Sequence, residues 1–112
     1  MQNEFKMGYA FGLLVGEGCF TGAKGKPTVA VKLHADDPKP LALLMEVFGG
    51  VLHGPYCHQN RNYYLWQLRG IPLRKSMPII EAHLPESRKR EQYQQWVIKY
   101  QKYFDWPGYT PE

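Results

Sequence analysis

Apolar and polar positions along the chain repeat with two periods, one typical of β-strands and one typical of α-helices. Strands are predicted at residues 19–23, 28–35, 51–57 and 63–69. Helices are predicted from residue 8 to 16, from 38 to 48, around 73–84 and from 86 or 87 to about 104, with Pro78 kinking the third or restarting it near Ser76. The order αββαββαα predicts an α+β domain, a four-stranded antiparallel sheet with helices on one face.

The predicted strands have one apolar and one polar face. Val29, Val31 and Leu33 point to one side of strand 28–35, which indicates a core on that side and an open face on the other. Polar and basic residues lie on the open faces or the hairpin tips: Lys24, Lys26, Thr28, Lys32, His34, Arg61, Tyr63, Gln67 and Arg69. Such a surface suits a DNA groove, where strands contact base edges and tip cations contact phosphates; a merely solvated face is the alternative.

Gly8, Gly12 and Gly16 recur every fourth residue in the first predicted helix. On an α-helix this spacing makes a strip without side chains. Each helical glycine costs about 0.5–1 kcal/mol relative to alanine, so a compensating contact is expected. The apolar run is interrupted by Lys6 and Glu17 and is too short to span a bilayer, which predicts no membrane partner. The strip therefore predicts close packing against another protein helix.

Glu17 lies where this helical pattern ends and strand alternation begins. The C-terminal end of a helix carries partial negative charge, which disfavours a carboxylate unless a cation is near. A divalent metal would reverse that balance. The alternative is a solvated acid at a helix–strand turn.

Residues 10–18, Ala-Phe-Gly-Leu-Leu-Val-Gly-Glu-Gly, resemble the signature of the LAGLIDADG homing endonucleases, in the variant form that ends Gly-Glu-Gly-Cys/Ser-Phe. In that family, motif helices of two halves pack through their small residues, and the terminal acids hold divalent metals between two DNA strands. The family's element order also matches residues 5 to about 104. The resemblance implies one domain over residues 1–112 with a core at about 5–104 and a tail at 105–112.

The resemblance implies a two-fold dimer interface along the motif helix, formed by Gly8, Phe11, Gly12, Val15 and Gly16. A two-fold axis there would bring two copies of Glu17 together. Glu17 is then the catalytic carboxylate and a metal ligand, with the backbone carbonyl of Gly16 as a further ligand. Oxygen ligands and a phosphate substrate point to Mg²⁺, with Mn²⁺ or Ca²⁺ able to replace it for binding.

The family has a lysine at the start of its last helix, and residues 88–92 of this chain resemble that segment. Lys89 matches the lysine best and is predicted to be catalytic, the alternative being a solvated first turn. Three cations near a helix N-terminus oppose its dipole, which favours a function. Members often carry a glutamine before the second helix, where this chain has His34 and residues 35–37, so the water-positioning residue is left open with His34 as a candidate. Asp36 or Asp37 is expected to cap that helix.

Composition changes this picture little. A net charge of +4 and a pI near 9.1 are compatible with a nucleic-acid partner. Two cysteines, Cys19 and Cys57, are too few for a disulfide scaffold, and Cys19 is expected to be a small buried residue. The N-terminus lacks the basic region of a signal peptide, which predicts an intracellular protein of the cytoplasm, nucleoid or an organelle. Zinc at His53, Cys57 and His58 is disfavoured because the sequence has no Cys-x-x-Cys pair.

These observations predict a homodimeric, metal-dependent double-strand DNA endonuclease of the intron- or intein-encoded homing type, hydrolysing phosphodiester bonds at a long pseudo-palindromic site. A non-cutting binder of the same fold, such as an RNA splicing maturase or a transcriptional regulator, is one alternative. A structural protein that uses the glycine strip only for helix pairing is another.

Overall fold

The computed structural model describes residues 4–34 and 37–105. Nine elements within these residues follow one another in the order that the sequence predicts, with one short helix added at the end. They are α1 (Glu4–Glu17), β1 (Gly18–Ala23), β2 (Lys26–Leu33), α2 (Lys39–Phe48), β3 (Val51–His58), β4 (Arg61–Leu68), α3 (Gly70–His83), α4 (Arg88–Lys99) and α5 (Gln101–Phe104). The tail beyond Asp105 and the predicted cap Asp36 lie outside the described residues.

The strands form one antiparallel sheet in the order β1-β2-β4-β3. Val31 of β2 pairs with Trp66 of β4, and Val29 pairs with Leu68, so these side chains share the core face as predicted. A register shift between His53 and Tyr56 interrupts the β3–β4 ladder. The predicted α+β class and four-stranded antiparallel sheet are thereby confirmed.

The helices pack on one side of the sheet around a single core. Ala10, Leu14, Leu41 and Leu44 of α1 and α2 are fully buried beside Trp66. The indole N–H of Trp66 donates to the Gly49 carbonyl at 2.9 Å, so its polar edge is satisfied inside the core. No helix in residues 4–34 and 37–105 is long and apolar enough to cross a bilayer.

α2 begins one residue later than its aspartates suggest. The Lys39 amide donates to Asp37 Oδ1 at 3.0 Å, although Pro38 occupies the cap position and makes no side-chain cap bond. Asp37 therefore satisfies a backbone donor just inside the helix start, which is the local role expected of one of the two aspartates.

α3 passes through Pro78 as one helix, so of the two alternatives that the sequence allowed, a kink or a restart near Ser76, the restart does not occur. Tertiary contacts anchor the turn before the proline: the Ser76 hydroxyl donates to the Phe48 carbonyl at 3.1 Å. Leu73 and Ile80 are fully buried on the two sides of Pro78. Packing of this face holds the helix across a residue that alone would interrupt it.

The last helix, in contrast, is divided. α4 ends at Lys99 and α5 begins at Gln101, with Tyr100 between them at φ −107° and ψ 24°. This turn brings Phe104 onto the Trp96 ring, with 5.2 Å between ring centroids, while Tyr100 is itself buried. The predicted continuous helix to residue 104 was wrong because aromatic packing favours folding the end back.

Candidate active site and nucleic-acid interface

The junction between α1 and β1 has no linker. Glu17 is the last residue of α1 and is exposed, and Gly18 is the first residue of β1 and is buried. A Cβ atom on Gly18 would lie 2.5 Å from the Leu14 carbonyl oxygen, which is closer than real Cβ contacts. Glycine at position 18 therefore permits the helix to turn directly into the strand and fixes where Glu17 emerges.

We expect Gly18→Ala to lower the free energy of unfolding by about 1–3 kcal/mol, because the helix and strand must separate to admit the methyl group. Urea denaturation followed by circular dichroism measures this. Gly16→Ala is the matched control, since a Cβ there meets nothing within 4 Å and the change should be neutral or stabilising in the monomer. Equal effects of the two substitutions would contradict this account of the junction.

Lys89 reaches this junction from the far end of the chain. Its ammonium nitrogen donates to the Gly18 carbonyl oxygen at 2.5 Å, across 71 residues of sequence. A cation at the C-terminal end of a helix offsets the partial negative charge there. The residue matched to the family's lysine thus contacts the backbone of Gly18, the residue that follows the one matched to its acid.

A hydrogen-bond clamp between α3 and α4 holds the start of α4 in place. Arg90 donates to the Leu84 carbonyl at 2.6 Å and pairs with the Glu81 carboxylate at 2.8 Å, while Ser87 Oγ caps the helix by accepting from the Arg90 amide. Tyr93 donates to Glu81 at 2.9 Å, and burial, with this bond, raises the pKa of Tyr93. Arg90 therefore has a structural reason to be there, so the cluster of three cations does not by itself indicate a function.

Within residues 4–34 and 37–105, no helix covers the face of the sheet opposite the core. Thr28, Lys32, Tyr63 and Gln67 lie on it, as predicted. His34 directly follows β2, and Arg69 directly follows β4. Lys24 lies in the β1–β2 turn at φ 55°, whereas Arg61 opens β4 beside the β3–β4 turn at the opposite end of the sheet. With Lys26 at the first position of β2, exposed cations thus border the open face at both ends.

Four side chains on this face form one cluster centred on Tyr63. The Lys32 ammonium lies 4.3 Å above the centroid of the Tyr63 ring. The rings of His34 and Tyr56 lie 5.7 Å and 5.2 Å from it. A cation held over an aromatic face loses mobility before any ligand arrives, so Lys32 is preorganised on an otherwise solvated surface.

Several residues of the open face were missed because their strand is irregular. By register, His53, Tyr56 and His58 of β3 face the same way as Tyr63 and Arg61. The register shift between His53 and Tyr56 breaks the alternation that identifies a strand face. Val51 and His53 precede the shift, so alternation still indicates which face they share. Cys57 points to the other face, which separates it from both histidines of the zinc alternative.

Cys19 is exposed rather than buried, contrary to its predicted role. It pairs with Ala30 in the β1–β2 ladder and so faces the open side of the sheet, while Gly18 and Phe20 face the core. The prediction failed because β1 begins at residue 18, directly after α1. Since Gly18 faces the core, the next residue, Cys19, faces the open side. Within residues 4–34 and 37–105, no three His, Cys, Asp or Glu side chains are grouped closely enough to hold a metal ion.

The glycine strip forms one wall of an open apolar groove of about 710 Å³. A Cβ atom added to Gly8, Gly12 or Gly16 would meet nothing within 4 Å. The groove is lined by Glu4, Met7, Gly8, Phe11, Gly12, Val15, Gly16, His83 and Pro85. Phe11 is mostly core, since it is 6% exposed and packs edge-on against Phe48 at 5.5 Å, whereas Val15 is half-buried.

The backbone as a whole resembles a known architecture. A crystal structure of the homing endonuclease I-TnaI superposes with a TM-score of 0.67 and 24% identity, over 82% of this chain and 69% of that one. This chain has the fold of a homing endonuclease. No protein-family model matches the sequence, and no curated protein matches it. The homing endonuclease fold therefore rests on the backbone and its element order, and the function must be argued from the site.

Proposed function

We propose that this protein is a homodimeric, Mg²⁺-dependent, site-specific DNA endonuclease of the LAGLIDADG homing type, encoded in an intron or an intein. It hydrolyses phosphodiester bonds in both strands of a long pseudo-palindromic site. The observation that carries the proposal is the hydrogen bond from Lys89 to the Gly18 carbonyl, which holds a cation at the residue that follows Glu17 in the chain. The likeness to I-TnaI, itself a homing endonuclease, supports the proposed class.

A second copy of the chain is the proposed occupant of the apolar groove. The exposed glycine strip lets another helix backbone approach closely, and closed two-fold pairing of like surfaces is the commonest arrangement in homo-oligomers. Phe5 and Tyr9, which are 76% and 43% exposed, lie in the row beside the strip and would gain burial in such a dimer. The two-fold axis then brings together the ends of two α1 helices and two copies of Glu17.

The oxygen donors at the end of α1 fit Mg²⁺. Glu17 is exposed and free to turn towards a ligand, and the Gly16 carbonyl belongs to the last helical turn, whose carbonyls lack partners within the helix. Carboxylate, carbonyl and phosphate oxygens are the ligands that Mg²⁺ prefers, and a single carboxylate per chain needs the copy from the partner. When bound, the metal lowers the pKa of its water and neutralises charge on the attacked phosphate.

The open sheet face is the proposed DNA surface. In a major groove, Lys32 suits guanine and Gln67 suits adenine, while Lys24, Lys26 and Arg61 suit phosphates at the ends of the face. Tyr63 would orient Lys32, because the ammonium already lies over its ring. His34, Thr28 and Arg69 extend the same surface, and His34 remains the candidate for positioning a water.

Lys89 is proposed to stabilise the transition state, beyond its contact with Gly18. We expect Lys89→Met to lower the cleavage rate by about 10²-fold or more, with the dissociation constant for DNA changed less than about tenfold. A purely structural lysine would instead lower stability by about 0.3–1 kcal/mol and leave the rate constant at saturating enzyme unchanged. Single-turnover cleavage and urea denaturation on the same variant separate the two roles, and Arg88→Met is the neighbouring control.

A duplex library incubated with and without Mg²⁺ tests the proposal. The expected result is retention of DNA in both samples and new double-strand ends, at one sequence, only with Mg²⁺. Retention without ends would favour a non-cutting maturase or regulator of this fold. Failure to retain DNA even at low salt would favour the structural protein, since a phosphate-binding surface gains affinity as salt falls.

A further inference from the structure

A second cavity, of about 1170 Å³, lies at the end of the sheet that carries the β1–β2 turn. It is walled by the turn, by the start of α3 and by α5. Its lining includes Lys24, Lys26, Arg69, Arg74, Lys102 and Tyr103. This volume exceeds the roughly 300–1,000 Å³ of ordinary small-molecule pockets, so the cavity suits part of a larger ligand.

The lining is strongly basic. Lys24, Lys26, Arg69 and Lys102 reach it from three different parts of the chain, and no acidic side chain is among the described residues that line it. Like charges brought together without a counter-ion repel one another, and the repulsion is relieved when an anion binds. The composition therefore indicates a polyanionic ligand.

Arg74 of α3 holds α5 in place at the cavity. Its guanidinium donates to the Tyr103 carbonyl at 2.7 Å and lies 3.9 Å from the centroid of the Tyr103 ring. Arg74 is only 8% exposed, so this anchor is part of the fold. Because it holds the segment that carries Lys102, that lysine faces the sheet end across the cavity although it belongs to the last helix.

The cavity continues the open sheet face. Thr28 and Lys26 lie on that face in β2, and Arg69, which directly follows β4, lines the cavity with them. The six residues of β1, at about 3.3 Å each, separate the cavity from Glu17 by roughly 20 Å. A duplex lying along the face would therefore meet the cavity well away from the bonds that are cut.

We propose that this cavity binds backbone phosphates of DNA flanking the bases that the sheet contacts. The inference rests on the proposed function and adds a contact to it, made by Lys102 and the residues facing it. Lys24 and Lys26 can contact a phosphate from the hairpin alone. Lys102 reaches the cavity from α5 rather than from the hairpin, which makes it the diagnostic residue.

The test measures the dissociation constant for a long mixed-sequence duplex over a range of KCl concentrations, for Lys102→Gln, Lys102→Arg and wild type. Lys75→Gln is the matched control, since Lys75 is exposed on α3 and does not line the cavity. For Lys102→Gln we expect a salt slope shallower by about 0.9 per bound chain and binding weaker by about five- to tenfold per chain near 0.1 M KCl. Lys102→Arg and Lys75→Gln should match wild type.

Two results would overturn the proposal while leaving the proposed function intact. One is a salt slope for Lys102→Gln that equals the slope of the wild-type protein, provided that the wild-type protein binds the duplex. The other is tripolyphosphate binding that depends on Lys102 with duplex binding that does not, which would assign the cavity to a free polyphosphate. Wild-type protein that fails to bind duplex at any salt would remove the proposed function as well. Circular dichroism of each variant verifies that the fold is retained.

Discussion

Glu17→Gln is expected to abolish DNA cleavage while leaving DNA binding within a few-fold of wild type. Glutamine keeps the size of the side chain but removes the charge that is proposed to hold Mg²⁺. Loss of a metal ligand should lower the rate by more than the factor of about 10–100 that is typical of outer-shell partners. Glu17 is exposed at the helix end, so the fold should tolerate the change. The measurement is single-turnover cleavage with Mg²⁺, beside equilibrium binding with Ca²⁺, which supports binding in the proposed scheme.

Glu91→Gln provides the control for that experiment, because it makes the same chemical change at another exposed carboxylate, on α4. It should cut at the wild-type rate. If Glu17→Gln cut DNA at the wild-type rate, the metal-binding role of Glu17 would be wrong. If it lost binding along with cleavage, Glu17 would instead act in holding DNA or the dimer.

Gly12→Leu is expected to convert the dimer to a monomer without unfolding the chain. A Cβ atom on Gly12 meets nothing within 4 Å in the isolated chain, so a leucine there fits the monomer. In the proposed dimer the same side chain would separate two helices that depend on close approach. We expect the dimer dissociation constant to rise by more than about 100-fold, equivalent to roughly 3 kcal/mol, in sedimentation velocity.

Ala42→Leu is the comparison for this experiment, since residue 42 is a small exposed position on α2 outside the groove. It should leave association unchanged. Gly12→Ala distinguishes the two states further. In a monomeric protein it should stabilise the helix by about 0.5–1 kcal/mol. In the proposed dimer, the loss of close contact between the two α1 helices would oppose this gain. A Gly12→Leu protein that stays dimeric would place the interface elsewhere.

The sheet was predictable because its signals are local. Val29, Val31 and Leu33 alternate strictly, and the register of β2 with β4 puts them on the core face. The sequence left open whether Pro78 kinks α3 or restarts it, because the buried contacts of Leu73, Ser76 and Ile80 that keep it one helix involve other elements. The break at Tyr100 likewise depends on where Phe104 packs.

Some features of the candidate site could likewise be predicted from the sequence, and others could not. The approach of Lys89 to Gly18 joins positions 71 residues apart, and only the resemblance to a family gave a reason to select this lysine from its neighbours. His53, Tyr56 and His58 were missed because an irregular strand hides which way its side chains point. The basic cavity was missed because Lys102 lines it only through a tertiary contact. That contact, between Arg74 of α3 and Tyr103 of α5, holds the segment that carries Lys102. The catalytic and metal-binding roles of Glu17 and Lys89 stay predictions.

The most direct test of the central claim, a cutting site built from two copies of Glu17, is the dependence of cleavage rate on chain concentration, measured with sedimentation of the same samples. The DNA is the site recovered from the library. The expected rate rises with the square of chain concentration below the dimer dissociation constant and is proportional to the dimer concentration throughout. Cleavage that is first-order in chain while the protein sediments as a monomer would contradict the claim.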